Sequence, residues 1–354
     1  MALLQISSPH THGENSTGTV MLTVLLATLP GLVALAHFFG IGVFVNLLLC
    51  ITTAVGCEAF VLKCRQRPIG FYLRDYSAIV TAVLLGLALP PYCPWWVPVV
   101  GTGIAIVGAK HLYGGLGYNP FNPAMVGYVV LLISFPIEMT QWASPRSVLD
   151  DGQSLPSIIA SFGKIFADIP IDGYSGATPL DAFKHREGAT VDQFYASEAL
   201  FREGRWASAG WEWVNLGFFA GGLYLLYKKI FTWHAPVCML TVLLLLSLAF
   251  YDAGSSGSGG SPVMHLLSGG TMLGAFFIVT DPVTSASSNL GRAIYGGCIG
   301  FLIYIIRVWG NYPDAVAFGV LLMNFAAPFI DYYTVPRSYG HSKRQPIIGP
   351  QTKS

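Results

Sequence analysis

Apolar residues gather into ten long runs along the chain. Residues 20–39, 41–62, 76–90, 95–112 and 124–136 form one group of five. Residues 212–231, 234–251, 263–280, 293–309 and 314–331 form a second. A hydrocarbon core of ~30 Å takes about 20 apolar residues per helix, fewer where helices are broken, so each run reads as a spanning helix. Between the groups, residues 137–210 are polar and hold 10 of the 18 acidic residues. That stretch is too charged to enter lipid and too long to be a turn. The pattern predicts an all-α polytopic membrane protein of ten transmembrane helices with an external loop insertion. Its expected parts are a segment 1–19, a five-helix repeat 20–136, the loop region 137–210, a second five-helix repeat 211–332 and a tail 333–354.

Composition agrees. Hydrophobic residues make up 53% and charged residues 10% of the 354 positions, where a soluble domain carries about 25% charged residues. Soluble, disordered and collagen-like classes are excluded, and a net charge of +1 leaves no basic stripe for nucleic acid. The six cysteines contain no C-x-x-C pair. Cys50, Cys57 and Cys64 recur every seven residues on one helix face, as small apolar residues of a bundle or, alternatively, as part of a metal or iron–sulfur site. No secretory signal is expected, since residues 1–19 are polar and lack Lys and Arg.

Basic residues orient the helices through the positive-inside bias. Lys63, Arg65, Arg67 and Arg74 crowd the link after the second run, which places that link in the cytoplasm. By alternation Lys110, Lys228, Lys229, Arg292 and the tail lie inside as well, and outside the long loop Arg307 is the one basic residue on the far side. Both termini are then cytoplasmic and 137–210 external. The groups also look alike. Ser77 to Pro91 and Ser268 to Pro282 each span 14 positions, and an Asn-Pro or Asn-x-Pro turn follows 28–29 residues later, at Asn119-Pro120 and at Asn311-Tyr312-Pro313. Two copies with an odd number of spans must be inverted, an arrangement that puts functional sites at the repeat interface near the midplane.

Two segments are richer in Gly, Asn and hydroxyls than a plain bundle needs. Residues 110–124 read KHLYGGLGYNPFNPA, with Asn119 and Asn122, and residues 280–288 read TDPVTSASS, followed by Arg292. Glycine lets backbone approach a ligand, and asparagine amides bind polar ring atoms. Both also suit plain turns. Asp281 can cap a helix, pair with Arg292 or ligate an ion. The membrane-edge carboxylates Glu58, Asp75, Asp252, Asp281, Asp314 and Asp331 suit capping and pairing as well as ion passage. A charge at the bilayer centre costs at least ~2.5–3.5 kcal/mol, and of these only Glu58 falls well inside a run.

In the loop, Asp172-Gly-Tyr-Ser175-Gly176-Ala177-Thr178 matches the acceptor sequence for covalent flavinylation, in which FMN is joined through its phosphate to the threonine hydroxyl. With DYSAIVTA at 75–82, KHLYGGLGYNPFNPA at 110–124, TDPVTS at 280–285 and NYPDAVAF at 311–318, the chain resembles the NqrB/RnfD family over essentially its whole length. It is most similar to the D subunit of Rnf-type ion-translocating electron transport complexes. The sibling B subunit of the sodium-pumping NADH:quinone oxidoreductase usually carries a longer stretch before its first span.

The resemblance implies a bacterial inner-membrane redox subunit with 137–210 in the periplasm. Its complex exchanges electrons between ferredoxin and NAD and moves Na⁺ or H⁺. FMN would be held covalently at Thr178, after maturation by a flavin transferase, and the FMN-bearing G subunit would be the electron partner. A second, non-covalent riboflavin would fall nearer the cytoplasmic face, where Asn119, Asn122, Thr280, Asp281 and Arg292 are the candidate residues. Glu58, Asp75, Asp281 and Asp314 are the candidates for an ion pathway. Two readings compete: a secondary transporter or channel using Asn122, Asp281 and Asp314 on its substrate without any flavin, and a structural scaffold.

Overall fold

The computed structural model describes residues 16–149, 155–167, 169, 175–186, 188–312 and 314–334. The first apolar group folds as α1 (Thr17–Phe39), α2 (Gly42–Cys64), α3 (Ser77–Ala88), α4 (Trp96–Gly103, continued by a π-helical stretch Ile104–His111) and α5 (Pro123–Ser134). The polar segment carries α6 (Ile158–Ala167), α7 (Pro179–Lys184) and α8 (Val191–Ser197). The second group is α9 (Trp211–Tyr227), α10 (His234–Ala249), α11 (Pro262–Leu267), α12 (Thr271–Leu273, continued as a π-helix over Gly274–Ile278), α13 (Asn289–Trp309) and α14 (Val316–Thr334).

Four of these, α1, α2, α13 and α14, are long and apolar enough to cross a membrane by length and composition. Their outward stripes fit that environment: on α1, Leu22, Leu26, Leu29 and Val33 recur at helical spacing and are all exposed. Run 263–280, expected as one span, is instead two pieces. α11 stops at Leu267, Gly269 turns with φ +63°, and α12 starts at Thr271. The Ser268-Gly269-Gly270 sequence accounts for the break, because glycine alone takes that backbone region at no steric cost. α3 is similarly short and ends two residues before Pro90-Pro91.

Local sequence sets several helix starts in one way. Asn122-Pro123, Thr178-Pro179 and Ser261-Pro262 each place a polar cap before a proline. In each, the side-chain oxygen accepts the N–H three residues on, at 3.3, 3.3 and 3.2 Å. Such caps are worth about 1 kcal/mol, and proline at the first helical position has no N–H left to satisfy.

α1 packs along α9, α10 along α13, α2 against α3 and α4, and α13 against α14. Small residues let the backbones touch. Gly217 and Gly221 of α9 lie on Ala27, Pro30 and Gly31 of α1, and a Cβ on Gly217 would stand 2.8 Å from Gly31 Cα and from Pro30 O. Gly296 and Gly300 of α13 lie on the backbone of Ala235 and Met239 in α10. Helices in lipid gain mainly from such van der Waals closeness.

One apolar cluster runs through both helix groups. A second joins Leu180, Phe183, Val191, Phe194, Leu200 and Phe201 of the polar segment to Met264 of α11. The segment therefore has a core of its own, and its seat is the broken helix. Each fully buried apolar side chain there contributes roughly 1.5–3 kcal/mol. Trp95, Trp96, Trp142, Trp206, Trp211, Trp213 and Trp309 all gather at this end, tied by Trp95 N–H to Ile165 O at 2.9 Å and by Lys184 Nζ to Gly310 O beside Trp309. Trp233 stands at the start of α10 instead.

Candidate functional site

The SGAT motif is not a free turn. Ser175 and Gly176 form a two-residue strand paired antiparallel with Trp142 and Ala143, Trp142 opposite Gly176 and Ala143 opposite Ser175. A Cβ on Gly176 would stand 2.6 Å from Ser144 Oγ, so a larger residue there would have to turn that hydroxyl aside. Ser175 and Ala177 are exposed, and Thr178 is half-buried. Asp172 lies outside the described residues.

Thr178 caps α7 and also lines a partly open crevice of about 940 Å³. Its walls are the end of α3 (Leu87, Ala88), Met125 and Tyr128 of α5, Trp142, Trp211 and Phe218, and the helix break at Gly269 and Gly270. Ligand pockets have mostly apolar linings with a few placed polar groups, and this crevice has that character. Aromatic side chains stand in its walls, and Thr178 is part of the same lining. An apolar, aromatic lining that includes Thr178 suits a flat aromatic group tethered at that residue. The acids of the lining are Asp181 and Asp314.

The break that floors this crevice is held by Asp314 together with Asn215 and Arg307, two residues to which the sequence assigns no site role. Asn215 of α9 donates from Nδ2 to Leu267 O and Gly269 O at 3.0 Å each and accepts Met272 N–H at 3.1 Å. Asp314 accepts Gly270 N–H at 2.8 Å and Arg307 Nη2 at 3.1 Å. Arg307, with its side chain 1% exposed, also donates to His265 O and Thr271 Oγ1. Broken backbone at membrane depth persists only where its polar groups find partners, and these three side chains supply them. Nearby, buried Glu212 accepts three backbone N–H groups, from Arg205, Trp206 and Ala207. The signal for Asn215 and Arg307 is their polarity inside apolar runs.

A second cavity of about 870 Å³ is lined by Asn119, Asn122, Thr280, Asp281, Ser77 and Lys110 among α1, α3, α5 and α12 residues. Asn119 Nδ2 donates to Phe121 O, while its buried Oδ1 has no partner among the described residues. Asp281 accepts Thr284 Oγ1 at 2.9 Å and Val283 N–H at 3.2 Å, with Asn122 Nδ2 at 3.4 Å. The four sequence candidates therefore meet around one space. Arg292 does not join them: it donates to Ala286 O and Thr232 Oγ1, each at 3.1 Å, and does not pair with Asp281. The turn after Pro282 points its own N–H and hydroxyl at Asp281, which leaves no need for the arginine.

Among the other carboxylates, Glu58 is 2% exposed and fully engaged. Lys110 Nζ donates to both of its oxygens, at 2.9 and 2.7 Å, and to Ser77 Oγ at 2.8 Å. His111 Nε2 stands 3.5 Å from Glu58 Oε1. Ser77 in turn donates its hydroxyl to Asp75 Oδ1 at 2.6 Å and its N–H at 2.8 Å. Lys110, counted in the sequence as a loop charge, is thus a buried ion-pair partner. Its placement inside the π-helical stretch of α4 turns it inward onto α2.

The family model described as NQR2, RnfD, RnfE matches residues 4–340. The chain is 61% identical to the D subunit of the ion-translocating oxidoreductase complex of Cellvibrio japonicus, over 97% of this chain and 96% of that protein. It is 57% identical to the protein of the same name from Ectopseudomonas mendocina, over 97% of each. For the Pseudomonas aeruginosa protein of that name the identity is 54%, over 98% of each. A model spanning nearly the whole length, with relatives so similar from end to end, means that the chain belongs to the NQR2, RnfD, RnfE family.

Proposed function

We propose that this chain is the membrane flavoprotein subunit of an ion-translocating ferredoxin:NAD oxidoreductase complex, carrying FMN covalently on Thr178. The observation that carries the reading is the position of the Thr178 hydroxyl on an aromatic-walled crevice within an SGAT motif. FMN, when bound, supplies one-electron transfer. The protein's part is to fix the attachment point and to keep water from the ring. Trp142, Trp211, Tyr128 and Phe218 give the apolar walls, while the Ser175–Gly176 strand and the first turn of α7 set where the hydroxyl stands. Asp181 puts negative charge beside the crevice, which lowers the affinity of any group there for an added electron, whereas the charge of Asp314 is met by Arg307.

The second cavity is the proposed seat of a non-covalent riboflavin. Support comes from the unpartnered Asn119 oxygen and from the Asn122 amide, groups that can meet the ring's polar edge. In this reading Glu58, Asp75, Asp281 and Asp314 flank the route of Na⁺ or H⁺, and electron arrival shifts the helices around it. Ten spans in two inverted repeats are part of the proposal. Matching helix contacts support it: α2 meets α4 as α10 meets α13, and α4 meets α5 as α13 meets α14. The polar segment then faces the periplasm of a bacterial inner membrane, both termini face the cytoplasm, and the G subunit, which bears its own FMN, docks outside.

The test is ultraviolet fluorescence of the purified subunit on a denaturing gel beside Thr178→Val, with intact mass, from a host that supplies the flavin transferase. Yellow fluorescence that survives denaturation and vanishes in the variant is expected. A dark wild-type band of unmodified mass would refute the flavin reading and favour a flavin-free transporter.

A further inference from the structure

A third cavity, of about 800 Å³, opens beside the broken helix on the side of α7 away from Thr178. It shares only Leu180 with the Thr178 crevice. Lys184, Arg186, His265 and Arg307 line it together with the loop Ser256-Gly257-Ser258-Gly259, and no carboxylate is among the described residues of its lining. Asp314 pairs with Arg307 from behind this lining, which leaves Lys184 and Arg186 as two cations without an ion-pair partner among the described residues.

The hydrogen bonds sharpen the imbalance. Arg186 spends Nη1 on Phe183 O and Nη2 on Ser256 O and Ser258 O, all of them carbonyls. Lys184 Nζ likewise meets the carbonyls of Gly310 and Tyr312. Burial holds the Lys184 ammonium below its ordinary pKa, with Asp181 opposing, and holds the Arg186 guanidinium below its own. Arg307 gives one Nη2 bond to Asp314. The Nε–H groups of Arg186 and Arg307 are buried with no partner among the described residues. His265 is 2% exposed; with its Nε2 donating to Gly259 O at 2.9 Å, its Nδ1 is an acceptor, also without a partner there. An unmade bond at a buried charged donor is costly, so such donors mark where a ligand belongs.

We propose that this cavity binds a phosphate oxyanion. The two unpartnered guanidinium Nε–H groups, with the Lys184 ammonium on the same lining, suit an anion with several oxygens. The His265 acceptor can take a hydroxyl carried by the same ligand, either the proton of hydrogen phosphate or a glycerol hydroxyl on an anionic phospholipid. Trp309, 60% exposed on the rim, stands where an interfacial tryptophan would meet headgroups. The inference does not rest on the flavin reading, because none of the four side chains lines the Thr178 crevice.

The experiment uses the delipidated full chain in neutral detergent. Its unfolding temperature is followed with sodium phosphate against sodium chloride at equal ionic strength. Native mass spectrometry then follows retained lipid after exchange into phosphatidylglycerol or phosphatidylcholine vesicles. Saturable stabilisation by phosphate, or selective retention of phosphatidylglycerol, is expected; the first alone identifies free phosphate as the source and the second a lipid headgroup. Arg186→Gln should weaken either by about tenfold, the value of one hydrogen bond to a charged group. Since that change also frees the Ser256–Ser258 loop, Gly257→Asp is the companion. The position is exposed, a Cβ there would meet only Ser255 Oγ at 3.8 Å, and the variant adds a carboxylate at the rim while removing no side-chain contact. It should abolish binding with the fold intact. Phosphate no better than chloride together with no preference for phosphatidylglycerol, or binding unchanged in both variants, would overturn the proposal.

Discussion

Replacing Lys110 by Met should cost more stability than almost any other single change in the chain. The ammonium stands 2.7–2.9 Å from both oxygens of Glu58, and each side chain is 3% exposed. At an effective dielectric of about 20, charges ~3 Å apart attract by roughly 5–6 kcal/mol, most of it offset by desolvation. Removing one partner strands the other charge, at about 3–5 kcal/mol. His111, 3.5 Å from the same carboxylate, offers a partial replacement. The expected loss is therefore about 3 kcal/mol, the low end of that range. Lys110→Met with Glu58→Gln removes both charges and should return most of it, leaving a coupling of about 2 kcal/mol in a double-mutant cycle. Reversible unfolding of the full chain in mixed micelles, read by tryptophan fluorescence, measures all four corners. A single-variant loss or a coupling under about 0.5 kcal/mol, the size of an exposed pair, would refute the view of Lys110 as the buried partner of Glu58.

Other predictions are simpler. Thr178→Val should remove gel fluorescence and also a helix cap worth about 1 kcal/mol, so its thermal unfolding should shift down even in protein made without the flavin transferase. Asn215→Leu leaves the Leu267, Gly269 and Met272 backbone groups unpartnered and should cost roughly 2–3 kcal/mol; wild-type stability in the same unfolding assay would refute that role. Gly221→Leu, against Ala27 of α1, should cost about 1–3 kcal/mol or more through overpacking, seen as loss of a monodisperse peak in gel filtration. Asp281→Asn should release any non-covalent flavin while denaturation-resistant fluorescence stays at the wild-type level; unchanged extractable flavin would remove Asp281 from that site.

Hydropathy places a helix in every apolar run, because it reports how favourably the run partitions into lipid, whichever way its side chains face. Its failures have a common cause. Run 263–280 is apolar on average despite His265, Ser268 and Thr271, so averaged hydropathy does not show the break; the Ser268-Gly269-Gly270 triplet is the local signal, and its meaning depends on Asn215, more than fifty residues away. Lys110 reads as a loop charge because its partner Glu58 lies on another helix. Arg292 pairs with Asp281 by sign alone, whereas the turn at 282–284 satisfies that carboxylate first. Asn119, Asn122, Thr280 and Asp281 do line one space, as their residue types suggest, since Asn-Pro and Asp-Pro steps at helix ends carry their geometry in the residues themselves. Thr178 is legible as a motif, while the strand pairing with Trp142 that positions it is not.

If Thr178 carries the proposed flavin as well as its helix cap, the order of events in biogenesis is constrained. Its oxygen is engaged as the acceptor of Asp181 N–H at the first turn of α7, and the same oxygen would have to attack during flavin attachment. A transferase meeting the finished fold must therefore loosen that turn, against the pull of Leu180 and Phe183 in their core, or act before the core closes. On the proposed attachment at Thr178, flavin loading would then be a race against local folding. Slowing the closure, as Phe183→Ala would, should widen the interval for modification and raise the loaded fraction whenever the transferase is scarce.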